Sequence, residues 1–219
     1  MKQRIVLLGP PASGKGTQAD RLTSRFGIPH VSTGALLRSE SARGTDLGLE
    51  AESSTGRGFL VPDELVQRII QEWIRTHGTR FIFDGFPRSV GQAVHLDAAL
   101  AGLEAPLDLI ILLELSDEEI RRRIEARLSC LHCGATFSTS LHGLKPNDHC
   151  PRCGERLVRR KDDVPEALEQ RLELYRGTTC PVVGYYEKEV PQLIHRIPAE
   201  PGSDVIFNEI SKLVEGEEN

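Results

Sequence analysis

The chain has 219 residues, 39% of them apolar and 27% charged, with a formal net charge of −5. That length holds one α/β core with an insertion or two rather than two full domains, and the acidic balance argues against a nucleic-acid binder, whose footprint is a net basic domain. No stretch approaches the ~18 apolar residues of a membrane span, and the apolar run after Met1-Lys2-Gln3-Arg4 stops at Gly9 without a cleavage-site pattern, so a cytoplasmic protein with no membrane partner is expected.

In chain order, Arg4–Leu8 predicts a strand, Gly14–Phe26 a helix and Pro29–Ser32 a short strand. Residues Ser32 to Val61 have helical character but extra length between strands, which predicts a small helical insertion. Pro62–Thr76 follows as a helix, with Pro62-Asp-Glu placing proline and carboxylates in its first turn. A strand over Arg80–Phe83, a helix over Ser89–Leu100 and a buried strand within Leu107–Leu115 come next. Ser116–Leu128 predicts a helix opened by a capping box, Ser116-Asp-Glu-Glu119. Residues Ser129 to Asp163, rich in Cys, His, Gly and Pro and without helical period, predict a second insertion. A long helix over Pro165–Glu189, a strand over Gln192–Ile197 and a helix near Ser203–Val214 complete the chain, before a short acidic tail. Strands alternating with helices imply a parallel sheet flanked by helices on both faces.

Between the first strand and helix lies Gly9-Pro-Pro-Ala-Ser-Gly-Lys15-Gly-Thr17-Gln. A strand, a glycine loop with one lysine and then a helix is the arrangement that cradles a nucleotide's phosphates. Backbone N–H groups of the loop and the helix N-terminus point at the anion, Gly9 and Gly14 lack the Cβ atoms that would block it, and Lys15 can reach the β- and γ-phosphates. Gly16 stands where a Ser or Thr would hold Mg²⁺, with Thr17 one place later. A glycine-rich turn without function is the rival reading, and the flanking strand and helix count against it.

Cys130-Leu-His-Cys133 and Cys150-Pro-Arg-Cys153 form two C-x₂-C pairs, each followed by a glycine, at a spacing expected for Zn²⁺. Four thiolates leave no open coordination position, so such a metal is structural. It would stabilise an insertion too small to bury a core of its own. Two disulfides are disfavoured in a cytoplasmic protein, and a nucleic-acid-binding zinc ribbon fits poorly beside a phosphate loop. His132, His142 and His149 are expected at the surface, and Cys180 as a small buried residue.

Asp84-Gly-Phe-Pro-Arg88 ends a predicted strand. Carboxyl ends of strands line the ligand crevice of an open parallel sheet, so Asp84 is expected to face the phosphate loop and hold Mg²⁺ through water. Arg88 could clamp a phosphate as a permanently charged fork. Alone, the motif is equally a strand-ending turn with an exposed arginine. Basic residues also cluster at Arg121, Arg122, Arg123 and Arg127, and at Arg152, Arg156, Arg159, Arg160 and Lys161. The spacing of Arg123 and Arg127 predicts one helix face, which a merely solvated face would also satisfy.

Gly9–Gln18, Ser32-Thr-Gly34 with Arg38, Leu60-Val-Pro-Asp-Glu-Leu65, Asp84–Arg88 with Gln92, the cysteine quartet, Arg160-Lys-Asp-Asp163 and Gly184-Tyr-Tyr186 occur in an order and spacing that resembles the adenylate kinases, of the long-lid, zinc-containing bacterial kind. The resemblance covers nearly the whole chain. It implies a P-loop NTPase-like core over 1–31, 62–125 and 164–219, a helical nucleoside-monophosphate insertion over 32–61 and a zinc-ribbon-like lid over 126–163. It also implies a monomer that converts MgATP and AMP reversibly into two ADP.

By the same resemblance Gly9, Ser13, Gly14, Lys15, Gly16 and Thr17, with Arg123, Arg127 and Phe137, would bind ATP. Thr33, Gln92 and the backbone of Gly85 would face the AMP base, Leu60 and Val61 would line its pocket, and Arg38 and Arg88 would bind its phosphate. Arg160 and Arg171 would reach the transferring phosphoryl group, so the catalytic set is Lys15, Arg88, Arg123, Arg160 and Arg171. Asp162 and Asp163 would help hold the closed lid. Ala35 replaces the family's aspartate after Ser-Thr-Gly, and Leu144-Lys-Pro146 replaces the lid's usual Asn-Pro-Pro-Lys. A UMP/CMP kinase is the nearest enzyme rival, opposed by Thr33 and the long lid. A phosphate-binding regulator carrying a nucleic-acid zinc ribbon is the rival of another class, opposed by Asp84 and the lid arginines.

Overall fold

The computed structural model describes residues 1–34, 36, 37, 44, 61–160 and 163–216. The expectations for Ala35, Arg38, Leu60, Lys161 and Asp162, and the helical character of most of the 32–61 insertion, lie outside these residues. Strands β1 (Arg4–Leu8), β2 (His30–Ser32), β3 (Phe81–Asp84), β4 (Leu109–Glu114) and a later strand Ile194–Pro198 form one sheet, in which that last strand pairs with β4 at an edge and the order is β2-β3-β1-β4-last. Every pairing in it is parallel. This is the fold class the alternation predicts.

A parallel sheet covered on both faces needs apolar residues at successive positions, and β1 supplies them. Val6 and Leu8 join Phe81, Phe83, Ile110 and Leu112 on one face, while Ile5 and Leu7 join Ile82, Leu109, Ile111 and Leu113 on the other. Helix α1 (Lys15–Phe26) covers the second face through Ala19 and Leu22, helped by Ile206, Ile210 and Val214 of the last helix, Ser203–Glu215. Helices α2 (Asp63–His77) and α3 (Val90–Ala101) cover the first face through Leu65, Ile70, Ile74, Ala93, Leu96 and Leu100. Val61 packs into that same cluster.

Helix α4 (Asp117–Glu125) is shorter than the pattern predicts. Arg127, expected on its face beside Arg123, instead opens strand β5 (Arg127–Cys130). The physical reason is pairing: β5 lies between β6 (Thr136–Ser138) and β7 (Leu157–Val158) in an antiparallel sheet, and Arg127 pairs in register with Ser138. Tertiary hydrogen bonding overrides the helix propensity of the Arg121–Leu128 stretch. The capping box also fails to form. Ser116 makes no side-chain cap, and Glu119 accepts instead from Arg122 and Arg123, at 2.6–2.7 Å. Charge-assisted bonds are the stronger ones, and the Ser116 N–H goes to Glu200.

A four-residue helix α5 (Thr139–His142) interrupts the insertion that carried no helical period. The long predicted helix is two, α6 (Pro165–Leu174) and α7 (Cys180–Glu189), joined by a π-helical turn over Tyr175–Thr179. Pro181 has no N–H to close the ladder behind it, and Thr178 Oγ1 donates to the Leu174 carbonyl at 2.6 Å in the widened turn. The strand Ile194–Pro198 is β8 and Ser203–Glu215 is α8.

Candidate active site

The loop from Gly9 to Gly14 joins β1 to α1 at the carboxyl end of the central strand. Gly9 sits at φ 141° against β4, where a Cβ would meet the Leu113 carbonyl oxygen at 2.5 Å. No other residue type fits that approach. Lys15 opens α1 and folds back over the loop, donating to the carbonyls of Gly9 and Pro10 at 2.8 Å and to Ser13 Oγ at 3.3 Å. Burial pushes its ammonium down to about 8; Asp84 opposes this, and Arg88, Arg171 and Arg127 add to it. Gly16 faces Asp84, whose Oδ2 would lie 3.3 Å from a Cβ there, and Thr17 is exposed beside it. Gln18 is buried and donates to Ser203, tying the loop's helix to α8.

Asp84, last residue of β3, thus faces the phosphate loop as its place at a strand end predicts. Its carboxyl is held below the usual range: burial works against this, but His30 and Lys15 outweigh it. His30 lies with Nε2 3.7 Å from Asp84 and Nδ1 2.8 Å from Asp20, and although burial opposes its charge, these two carboxylates raise it to about 9. The turn after Asp84 brings the expected acceptor residues together. Thr33 Oγ1 and Arg88 Nε both donate to the Gly85 carbonyl, at 2.9 and 2.8 Å. Gly85 has φ 79°, and a Cβ there would sit 2.8 Å from the Arg88 guanidinium. Gln92 is buried in the first turn of α3 and accepts from the Arg88 N–H at 2.7 Å.

Of the remaining arginines, Arg123 is held by the core, and Arg127, Arg160 and Arg171 by residues of the 126–163 segment. Arg123 donates to Glu119, to the Ala199 carbonyl at 2.6 Å and to the Ala12 carbonyl of the phosphate loop at 3.4 Å. Arg127 and Arg171 share the carboxylate of buried Asp163, Arg127 through both oxygens. Arg160 lies on the lid sheet, donating to Ser129 Oγ at 2.7 Å and Thr136 Oγ1 at 3.3 Å. Phe137 packs on the lid cluster and meets His142 edge to face.

The cysteine quartet is assembled. Cys130 and Cys153 sulfurs lie 3.5 Å apart, Cys133 and Cys150 3.7 Å, and all four within 4.8 Å of one another. Ligands ~2.3 Å from a tetrahedral Zn²⁺ are ~3.8 Å apart, so the sulfurs fit a single ion; a disulfide would need ~2.05 Å. The N–H of Cys133 points at the Cys130 sulfur at 3.5 Å and holds that thiol below its usual range. His132 and His142 are exposed, and Cys180 is half-buried where full burial is expected.

Sequence reasoning missed His30 and Asp20 and placed Arg152 only in a basic cluster, whereas Arg152 bridges the second cysteine pair to Asp20 at 3.4 Å. No local spacing links residues 10 and 132 positions apart. It gave Asp63 a place in a helix's first turn and in the Leu60–Leu65 motif, but not its hydrogen bonds with Ser89 and Gln92.

Comparison with known proteins agrees with this geometry. The family described as adenylate kinase matches residues 7–190. An adenylate kinase of Thermodesulfovibrio yellowstonii is 40% identical over 214 residues, covering 97% of this chain and 99% of its own. One of Chlamydia caviae is 43% identical over 207 residues, 94% of each chain, and one of Methanosarcina barkeri 38% over 212, covering 96% and 97%. With a family match across more than half its length and relatives that align almost end to end, the chain belongs to the adenylate kinase family.

Proposed function

We propose that the protein catalyses reversible transfer of the γ-phosphoryl group of MgATP to AMP, giving two ADP, and works as a cytoplasmic monomer, as its resemblance implies. The observation that carries the reading is the convergence of Lys15, Asp84 and Arg88 at the carboxyl ends of β1 and β3, in a chain of this family. An AMP phosphate oxygen attacks the γ-phosphorus while its bond to the β-phosphate oxygen breaks, and ADP leaves. The attacking oxygen is already anionic, so no general base is required. Such a reaction asks for alignment and for positive charge around the equatorial oxygens.

The loop N–H groups from Gly9 to Thr17 and Lys15 would hold the ATP phosphates, with Asp84 holding the Mg²⁺ that arrives with ATP through water. Arg88 and Arg38 would hold the AMP phosphate. Thr33, Gly85 and Gln92 would face its base, and Val61 with Leu60 its pocket wall. Arg123 and Arg160 would turn from their protein partners to the phosphates as the 126–163 lid closes, Arg127 and Arg171 would extend toward them while keeping Asp163 as their shared partner, and Phe137 would lie beside the ATP base. Closure of the lid over ATP and of the 32–61 insertion over AMP excludes water, which would otherwise accept the phosphoryl group. The cysteine quartet would hold Zn²⁺ as a structural ion, its four thiolates leaving no position for substrate.

ADP formation from MgATP with AMP, UMP, CMP and dTMP in parallel, using protein purified without chelator, tests the assignment. Turnover with AMP alone is expected. A pyrimidine acceptor would keep the mechanism and overturn the specificity, and no transfer to any acceptor would return the chain to a phosphate-binding role.

A further inference from the structure

Three helix-start features meet behind the expected base site. Asp63 is the first residue of α2, Ser89 is the N-cap of α3, and Gln92 lies in the first turn of α3. Ser89 Oγ accepts from the Gln92 N–H at 3.1 Å and donates to Asp63 Oδ2 at 2.5 Å. The other Asp63 oxygen accepts from Gln92 Nε2 at 2.6 Å, and Gln92 Oε1 accepts from the Arg88 N–H at 2.7 Å. Gln92 is 3% exposed, so these bonds are made away from solvent.

We infer that Asp63 is a specificity-determining positioning residue, which fixes the orientation of the Gln92 amide so that it reads adenine and rejects a 6-oxopurine. A carboxylate only accepts and a backbone N–H only donates. Turning the amide over would set Oε1 against Asp63 and Nε2 against the Arg88 N–H, orphaning both ends in a buried site. The held orientation leaves one N–H on Nε2 and one lone pair on Oε1. Adenine offers an acceptor at N1 and a donor at its 6-amino group, which match this edge. Hypoxanthine offers the reverse, a donor at N1–H and an acceptor at O6.

This inference rests on the reading of Gln92 as the group that faces the base. The test compares kcat/KM for AMP and IMP, which differ only at that edge, in the full-length wild type and in Asp63→Asn, Ser89→Ala and Gln92→Leu. In Asp63→Asn the introduced side-chain amide can donate to Oε1 as well as accept from Nε2, so one of the two constraints on the Gln92 amide disappears. The AMP-to-IMP ratio is expected to fall by about tenfold in Asp63→Asn. Ser89→Ala removes a hydrogen bond at the same carboxylate without changing its polarity, and is expected to lower the melting temperature while the ratio stays within about twofold. Gln92→Leu should collapse the ratio. If Gln92→Leu lowers it and Asp63→Asn does not, the positioning role is overturned while the base-reading role stands. If Gln92→Leu leaves the ratio intact, the base-reading role itself fails, and the inference with it. An equal loss in Ser89→Ala and Asp63→Asn would make the effect one of packing and sink the polarity argument.

Discussion

Lys15 spends its three ammonium hydrogens on acceptors of its own loop, the carbonyls of Gly9 and Pro10 and the Ser13 hydroxyl. Those groups shape the cradle but supply no full negative charge, and burial with three arginines presses the proton off, to about 8, against the pull of Asp84. Bound phosphates would reverse that balance. The cation is present below its pKa and lost above it, so kcat/KM for MgATP, which reports the free enzyme, is expected to fall as pH rises through about 8. The fall in kcat, which reports the complex, should begin at higher pH. Coincident alkaline limbs for the two parameters in a pH–rate profile would contradict the account. Lys15, Asp84 and Arg88 were legible in the sequence because each sits in a short motif beside a strand end. His30, Asp20 and the second role of Asp63 were not, since their partners are set by how β2, α1, α2 and α3 pack, and hydrogen bonds between elements leave no mark on local spacing.

Among elements, those that bury a continuous apolar face were readable and those decided by long-range pairing were not. Leu109–Glu114 is a strand buried over five of its six residues, but Arg127 is drawn from a helix into a strand by β6, and the long helix after Pro165 widens over Tyr175–Thr179, just ahead of Pro181. The lid sheet is the extreme case. Its buried cluster among the described residues has five members, Leu128, Cys130, Ala135, Cys150 and Leu157, and two of these are cysteines of the quartet. So small an apolar cluster does not offset the entropy of ordering the lid, and a metal held by the quartet would supply folding free energy there. One Zn²⁺ per chain by elemental analysis is therefore expected. Chelation should lower the melting temperature by roughly 5 °C or more, and an unchanged melt after complete metal removal would count against a structural ion.

For the molecule as a whole, two of the contacts around the lid differ sharply in strength. At its outer end Arg152 meets Asp20 at 3.4 Å, with 60% and 49% of the side chains exposed. Pairs of that kind contribute about 0.2–1 kcal/mol, little enough to be made and broken readily. At the hinge, the Asp163 side chain is 1% exposed and pairs with Arg127 of β5, whose side chain is 10% exposed, and with Arg171 of α6. Removing one partner of a buried pair strands the other charge, at a cost of about 3–5 kcal/mol. A firm hinge and a weak outer contact would suit the lid closure proposed above. Asp163→Asn, which keeps the side-chain volume, is expected to lose about 3 kcal/mol of unfolding free energy, and Arg152→Ala less than about 1 kcal/mol, both by urea denaturation. If the two variants lose equal stability, the division between fixed hinge and releasable contact is wrong. If Asp163→Asn loses more, Asp163 is the firm side of the hinge, tying the lid's Arg127 and the core's Arg171 to one carboxylate.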